Sequence, residues 1–115
     1  MPRPGRDAEP RSYVVDGEWP AGTLAPDAPV SARYAQVFSL RFAVALRERG
    51  NPSIREVARE AEVSRTTVER TLNGTVLPTF GAMARLEDWL GVPLWPGPRA
   101  GWDRRATRED GLDQG

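Results

Sequence analysis

The chain has 115 residues, with 16 arginines, no lysine and 16 acidic residues, so its formal net charge is zero. It has no histidine and no cysteine, which excludes Ser-His and Cys-His nucleophiles, disulfides and the usual zinc, haem and iron–sulfur ligands. No apolar run approaches the roughly 20 residues of a membrane span. We therefore expect one small cytoplasmic domain with two tails, not an enzyme, without cofactor or bound metal.

Residues 1–30 are predicted to form an extended arm, because six prolines spread along them exclude a helix. The dipeptide Asp16-Gly17 between β-forming residues predicts a possible short hairpin at residues 13–19. Such a hairpin would not be stable alone, so we expect Tyr13 or Trp19 to pack against the core. The alternative is an arm that reaches DNA or pairs with a second copy through residues 12–19.

The first two predicted helices follow the arm. The first begins near Ser31 as N-cap, runs to about Arg49 and stops at Gly50. Its apolar residues recur on one helical stripe: Tyr34, Phe38, Phe42, Ala45 and Leu46. The second opens with a Ser-x-x-Glu capping box between Ser53 and Glu56. Its predicted buried face comprises Ile54, Val57, Ala58 and Ala61.

Two more helices complete the predicted domain at residues 31–95. Ser64 caps the third, which runs from Arg65 to about Asn73 and ends at Gly74. Pro78 and Thr79 precede the fourth, which ends at Gly91 as C-cap. Its predicted inward residues are Phe80, Met83, Leu86 and Leu90. The second and third helices are short and depend on packing against the other two.

The end of the chain has little apolar pattern. Residues 96–115 balance four arginines against four acidic residues and are predicted to form a flexible, disordered tail. Leu94 and Trp95, just before it, are predicted to plug the bottom of the core.

Residues 53–74 have the pattern of a helix-turn-helix, in which the second helix lies in a DNA groove. A small residue stands where the helices cross, an apolar residue fills the turn and two residues of the second helix point inward. These are Ala58, Val63, Val68 and Leu72. At 100° per residue, an outer face of polar and charged residues spans about 140° opposite Val68. It comprises Arg65, Thr66, Glu69, Arg70 and Asn73.

The chain resembles the Cro/CI-type, or XRE-like, helix-turn-helix family over residues 38–92. The motifs are Ile54-x-x-Val57-Ala58, Val63-Ser64-Arg65-x-x-Val68, Leu72-Asn73-Gly74, Leu77-Pro78 and Leu86-x-x-x-Leu90-Gly91-Val92. The resemblance implies an all-α bundle, usually of five helices, that binds operator DNA as a dimer. It also implies that Arg65, Thr66, Thr67 and Arg70 read bases. Asn73 and the start of the second helix, around Ser53, would then contact phosphates.

We therefore predict an all-α fold, a four- to five-helix bundle that binds double-stranded DNA as a homodimer and acts as a repressor or autoregulator. The candidate DNA-binding residues are Ser53, Arg55, Ser64, Arg65, Thr66, Thr67, Glu69, Arg70 and Asn73. Glu69 either accepts from cytosine or pairs with Arg65, and Asn73 either binds phosphate or helps to cap its helix. The alternative function is an antitoxin or adaptor that binds a protein partner through its tails.

Overall fold

Four α-helices make up most of the structure, a computed structural model that describes residues 9–96. They are α1 (Val30–Glu48), α2 (Ile54–Ala61), α3 (Arg65–Asn73) and α4 (Phe80–Leu90). This confirms the predicted all-α class, and no fifth α-helix follows α4 within the described residues. The tail predicted at residues 96–115 lies, from residue 97 onward, outside the described part of the chain.

Side-chain caps fix where three of the helices begin. The hydroxyl oxygens of Ser53, Ser64 and Thr79 each accept the backbone N–H three residues further on. The first helix differs from the prediction, because α1 begins at Val30 with Pro29 as its N-cap. The proline ring holds its own φ at −66°, which suits a helix entry and moves the start ahead of Ser31.

The main core lies between the four helices. Its fully buried side chains are Phe38, Phe42, Val57, Val68, Leu86 and Leu94. The rings of Phe38 and Phe42 meet edge to face, with their centroids 6.3 Å apart. The predicted stripe of α1 is confirmed at these two residues and at Leu46, which is also buried.

Phe80 does not belong to this core, contrary to the prediction. Its side chain is 82% exposed, whereas Ala82 and Leu86 of the same helix are buried. Leu86 lies six positions after Phe80. At 100° per residue, the two side chains are therefore about 120° apart around the helix. The inward side of α4 therefore begins at Ala82.

Two short antiparallel strands, β1 (Val14–Asp16) and β2 (Thr23–Leu24), follow a 3₁₀ turn at Pro10–Tyr13. The structure differs from the tight turn predicted within residues 13–19, because a loop of residues 17–22 separates the strands. In this loop the N–H of Gly22 donates to the carbonyl of Glu18 at 2.6 Å. Within this longer loop, Trp19 packs against a cluster that contains Leu24, Ala28 and Ala32.

The N-terminal strands pack on their own chain. A second apolar cluster joins Tyr13, Val14 and Trp19 to three buried residues, Leu24, Ala28 and Ala32. The predicted packing of Tyr13 and Trp19 is thus present, although it is against this second cluster. Of the apolar residues proposed for pairing with a second copy, Val15 is the one that is mostly exposed, at 63%.

The segment after α4 is tied back to that helix. One carboxylate oxygen of Glu87 accepts from the backbone N–H groups of Leu94, at 2.7 Å, and Trp95, at 2.6 Å. Leu94 is fully buried, as predicted, but Trp95 is 47% exposed and lies against Tyr34, with ring centroids 5.0 Å apart. Of these two residues, Leu94 is buried in the core and Trp95 is not.

Candidate nucleic-acid interface

The turn between α2 and α3 is three residues long: Glu62, Val63 and Ser64. Glu62 has φ 60° and ψ 47°, a left-handed conformation that is costly for a residue with a side chain. Val63 is buried, and its N–H donates to the carbonyl of Ala58 at 3.1 Å. The N–H of Glu62 donates to the same carbonyl. The buried Val63 side chain and these two backbone bonds close the turn and fix the angle between the two helices.

The inner side of α3 rests on the core. Val68 and Thr71 are almost completely buried, and the hydroxyl of Ser39 in α1 donates to the carbonyl of Thr71 at 2.8 Å. The prediction that Val68 points inward is confirmed. Leu72 is only half-buried, so it packs at the margin of the core instead of within it.

The outer face of α3 is open to solvent. Arg65, Thr66, Glu69 and Arg70 are all exposed. No ion pair forms between Arg65 and Glu69, and within residues 9–96 neither arginine side chain on this helix is held by a hydrogen bond. The arginine lies N-terminal to the glutamate, which is the weaker order for a pair four residues apart. These side chains are therefore available to a ligand.

Two of the candidate hydroxyls serve the helix itself. The hydroxyl of Ser64 accepts from the N–H of Thr67 at 3.0 Å and donates to the Thr67 hydroxyl oxygen at 2.8 Å. Thr67 is half-buried, unlike its neighbour Thr66. The cap stabilises the end of α3 whose unpaired N–H groups favour an anion such as a phosphate.

The start of α2 has a complete capping box. The hydroxyl of Ser53 accepts from the N–H of Glu56 at 3.1 Å, and the Glu56 carboxylate accepts from the N–H of Ser53 at 2.9 Å. The Glu56 carboxylate is therefore already bonded to the backbone N–H of Ser53. Arg55, one of the candidate residues, is exposed beside it.

The side chain of Asn73 contacts the turn that follows α3. Its side-chain oxygen accepts from the N–H of Thr75 at 3.3 Å and from the Thr75 hydroxyl at 2.9 Å. Gly74, with φ 74°, is the C-cap. Asn73 therefore orders the turn after α3, and its amide nitrogen has no partner within the described residues.

An open polar groove of about 720 Å³ brings part of the candidate site together. Its walls include Ile54 at the start of α2, the outer and C-terminal residues Glu69, Arg70 and Asn73, and Glu9 from the N-terminal arm. Sequence reasoning missed Glu9, since no local pattern links it to a helix more than 50 residues away. Arg55 and Arg65 do not line this groove.

These features, a tightly closed turn and a short helix with a buried inner side and an exposed polar outer face, are those of a helix-turn-helix segment. A family model described as "Helix-turn-helix domain" matches residues 41–96. The segment is a helix-turn-helix domain, consistent with the XRE-like resemblance seen in the sequence. Domains of this class are typically non-enzymatic and indicate a DNA-binding regulator. No curated protein and no solved structure matches the chain.

Two further observations concern residues 9–96 alone. None of their helices is both long enough and apolar enough to cross a bilayer. No group of three or more acidic residues is arranged so that it could hold a metal ion.

Proposed function

We propose that this protein is a sequence-specific transcriptional regulator, a repressor or autoregulator, that acts in the cytoplasm as a homodimer. The observation that carries the proposal is the outer face of α3, where Arg65, Thr66, Glu69 and Arg70 are exposed and the arginines have no partner within the described residues. A helix of this kind, seated in the major groove, presents its polar side chains to base edges.

The exposed side chains suit particular bases. An arginine donates two hydrogen bonds to O6 and N7 of guanine, so Arg65 and Arg70 each specify one guanine. Glu69 accepts from the amino group of cytosine, because it is free of Arg65. Thr66 adds a hydroxyl or a methyl contact on the same face.

Phosphate contacts would hold the domain in register. Ser53 and Arg55 lie at the start of α2, and Ser64 and Thr67 at the start of α3, where helix N-termini attract anions. Asn73 offers its amide nitrogen, which has no partner within residues 9–96, from the opposite end of α3. Such contacts position a protein on DNA without reading its sequence.

The balanced charge of residues 53–74 favours specific over non-specific binding. Residues 53–74 contain four arginines and four glutamates, so the helix-turn-helix has no net positive charge. Non-specific affinity comes mainly from the release of counterions by positive charge. Binding therefore depends on a few placed side chains, and we expect its affinity to fall less steeply with salt than that of a strongly basic protein.

The homodimer is part of the proposal because two-fold symmetric repressors bind two half-sites in one operator. The division of the chain into an arm, a domain and a tail also stays a prediction. So does the alternative of an antitoxin or adaptor, whose tail of residues 99–115 lies outside the described part of the chain.

Two measurements test the proposal. The first is selection of bound DNA, from a random duplex library and from sheared genomic DNA, which should enrich one motif with two-fold symmetry. The second is the operator affinity of variants at fixed salt. Arg65→Ala and Arg70→Ala should each lose about 1–3 kcal/mol and relax the preference at one base position.

Arg85→Ala is the matched control, because it removes the same charge from an exposed position on α4. It should bind the operator as the wild type does. Failure to enrich any motif would refute sequence-specific binding. Equal affinity of the Arg65 and Arg70 variants and the wild type would refute the assignment of α3.

A further inference from the structure

The C-terminal end of α3 is held by a segment that lies outside the helix-turn-helix match. The backbone N–H of Arg11 donates to the carbonyl of Gly74, the C-cap residue of α3, at 2.9 Å. Carbonyl groups at the end of a helix have no partner within the helix itself. The N-terminal arm satisfies one of them from more than 60 residues away in the chain.

The indole ring of Trp19 lies directly on the same glycine. A Cβ atom placed on Gly74 would be 2.6 Å from Cε2 of Trp19 and 2.7 Å from two further ring atoms, closer than real Cβ contacts. Gly74 also has φ 74°. Glycine therefore serves two needs here, a left-handed cap and the close approach of a flat ring.

The arm is in turn anchored on α1. Trp19 packs into the cluster that includes Ala32 of α1, and the side-chain amide of Gln36 donates to the carbonyl of Gly22 at 2.6 Å. We call residues 9–24 the N-terminal clasp. It connects the first half of α1 to Gly74, the C-cap residue of α3, independently of the turn that joins α2 and α3.

The clasp also lies close to the proposed DNA surface. Glu9, its first residue, lines the same groove as Arg70 and Asn73. The family match begins at residue 41, so the domain model covers α3 but not the segment that holds its end. The clasp is therefore an addition to the matched domain.

We propose that the clasp is a positioning element for the proposed function, and that Trp19 is its positioning residue. The ring fixes the C-terminal end of α3 against α1, so that Arg65 and Arg70 meet two bases at the same time. Hydrogen bonds to bases depend steeply on distance and angle, so a small tilt of a nine-residue helix disturbs both contacts. The inference rests on α3 being the helix that reads DNA.

The test uses the full chain and the motif selected as described above. Trp19→Ala should weaken operator binding about three- to thirtyfold, the usual range for residues that act through packing. Trp19→Phe should restore most of the affinity, because Nε1 of Trp19 has no hydrogen-bond partner within residues 9–96. Val15→Ala, on the same hairpin but 63% exposed, is the control and should bind like the wild type.

The deciding readout is the ratio of affinities for the operator and for a scrambled duplex, measured where circular dichroism shows every variant folded. A smaller folded fraction lowers both affinities equally, whereas a misplaced α3 lowers operator binding alone. If Trp19→Ala does not fold, Trp19→Leu replaces it, since it keeps an apolar side chain without the flat ring.

A reduced ratio for Trp19→Ala, with recovery in Trp19→Phe, supports the clasp as a positioning element. An unchanged ratio overturns it and leaves the proposed function in place. A wild-type protein that prefers no sequence overturns the proposed function and this inference with it.

Discussion

A pair of glycine substitutions tests the contact on which the clasp depends. Gly74 and Gly91 are both helix C-caps in the left-handed region, with φ 74° and 72°. Among residues 9–96, a Cβ on Gly91 would meet nothing within 4 Å, whereas one on Gly74 would lie 2.6 Å from the Trp19 ring. The two substitutions to alanine therefore share the backbone cost and differ in the contact with Trp19.

The size of the difference follows from these geometries. A left-handed residue with a Cβ costs about 1–2 kcal/mol, which is the whole expected loss of unfolding free energy for Gly91→Ala. An extra carbon forced into a packed site adds about 1–3 kcal/mol, so Gly74→Ala should lose about 2–5 kcal/mol. The difference between the two losses, about 1–3 kcal/mol, is measurable against the total unfolding free energy of about 5–15 kcal/mol that is typical of a domain.

Urea denaturation followed by circular dichroism measures both losses, provided that the m-value stays constant. The same pair made in a Trp19→Ala background completes a double-mutant cycle. Without the ring, Gly74→Ala should cost no more than Gly91→Ala. Equal losses in the wild-type background, or an excess that persists without Trp19, would refute the packing of the ring on Gly74.

Four other predictions concern stability, each measured as the urea midpoint. Thr71→Val removes a buried hydroxyl with no partner within residues 9–96 and should leave stability unchanged or raise it by about 1 kcal/mol. Ser39→Ala removes one bond to the Thr71 carbonyl, which still accepts from the N–H of Gly74 at 3.4 Å, and should cost about 0.5–1.5 kcal/mol. A larger loss of stability for Thr71→Val than for Ser39→Ala would contradict both predictions. Leu86→Ala should cost about 3–5 kcal/mol at a fully buried position, clearly more than Leu72→Ala at the margin. Phe80→Ser should change stability by less than about 0.5 kcal/mol, and a larger loss would restore Phe80 to the core.

The parts of the structure that the sequence predicted well are those decided by neighbouring residues. The capping box of Ser53 and Glu56 forms both of its hydrogen bonds, and Gly74 and Gly91 end their helices as C-caps. A cap needs only residues within one turn of each other, so its pattern can be found in a short window.

The parts that the sequence did not predict depend on distant partners or on helical phase. Trp19 and Gly74 are 55 residues apart, and neither position carries a local sign of the other. The prediction that Phe80 points inward with Leu86 is wrong, because its helical phase places it about 120° from Leu86. For the site, exposure of the outer face followed from periodicity, whereas the absence of an Arg65–Glu69 pair depends on side-chain conformation.

The shortness of α3 and the balanced charge of residues 53–74 lead to the same requirement. A helix of nine residues is not stable alone, and a helix-turn-helix with balanced charge gains little from bulk attraction to DNA. Its affinity must then come from short-range contacts, which demand a rigid helix. Three attachments provide that rigidity: the Ser64 cap at the start, Val68 and Thr71 in the core, and the clasp on Gly74 at the end. Loss of any one of them should therefore reduce the preference for operator over scrambled DNA before it unfolds the protein.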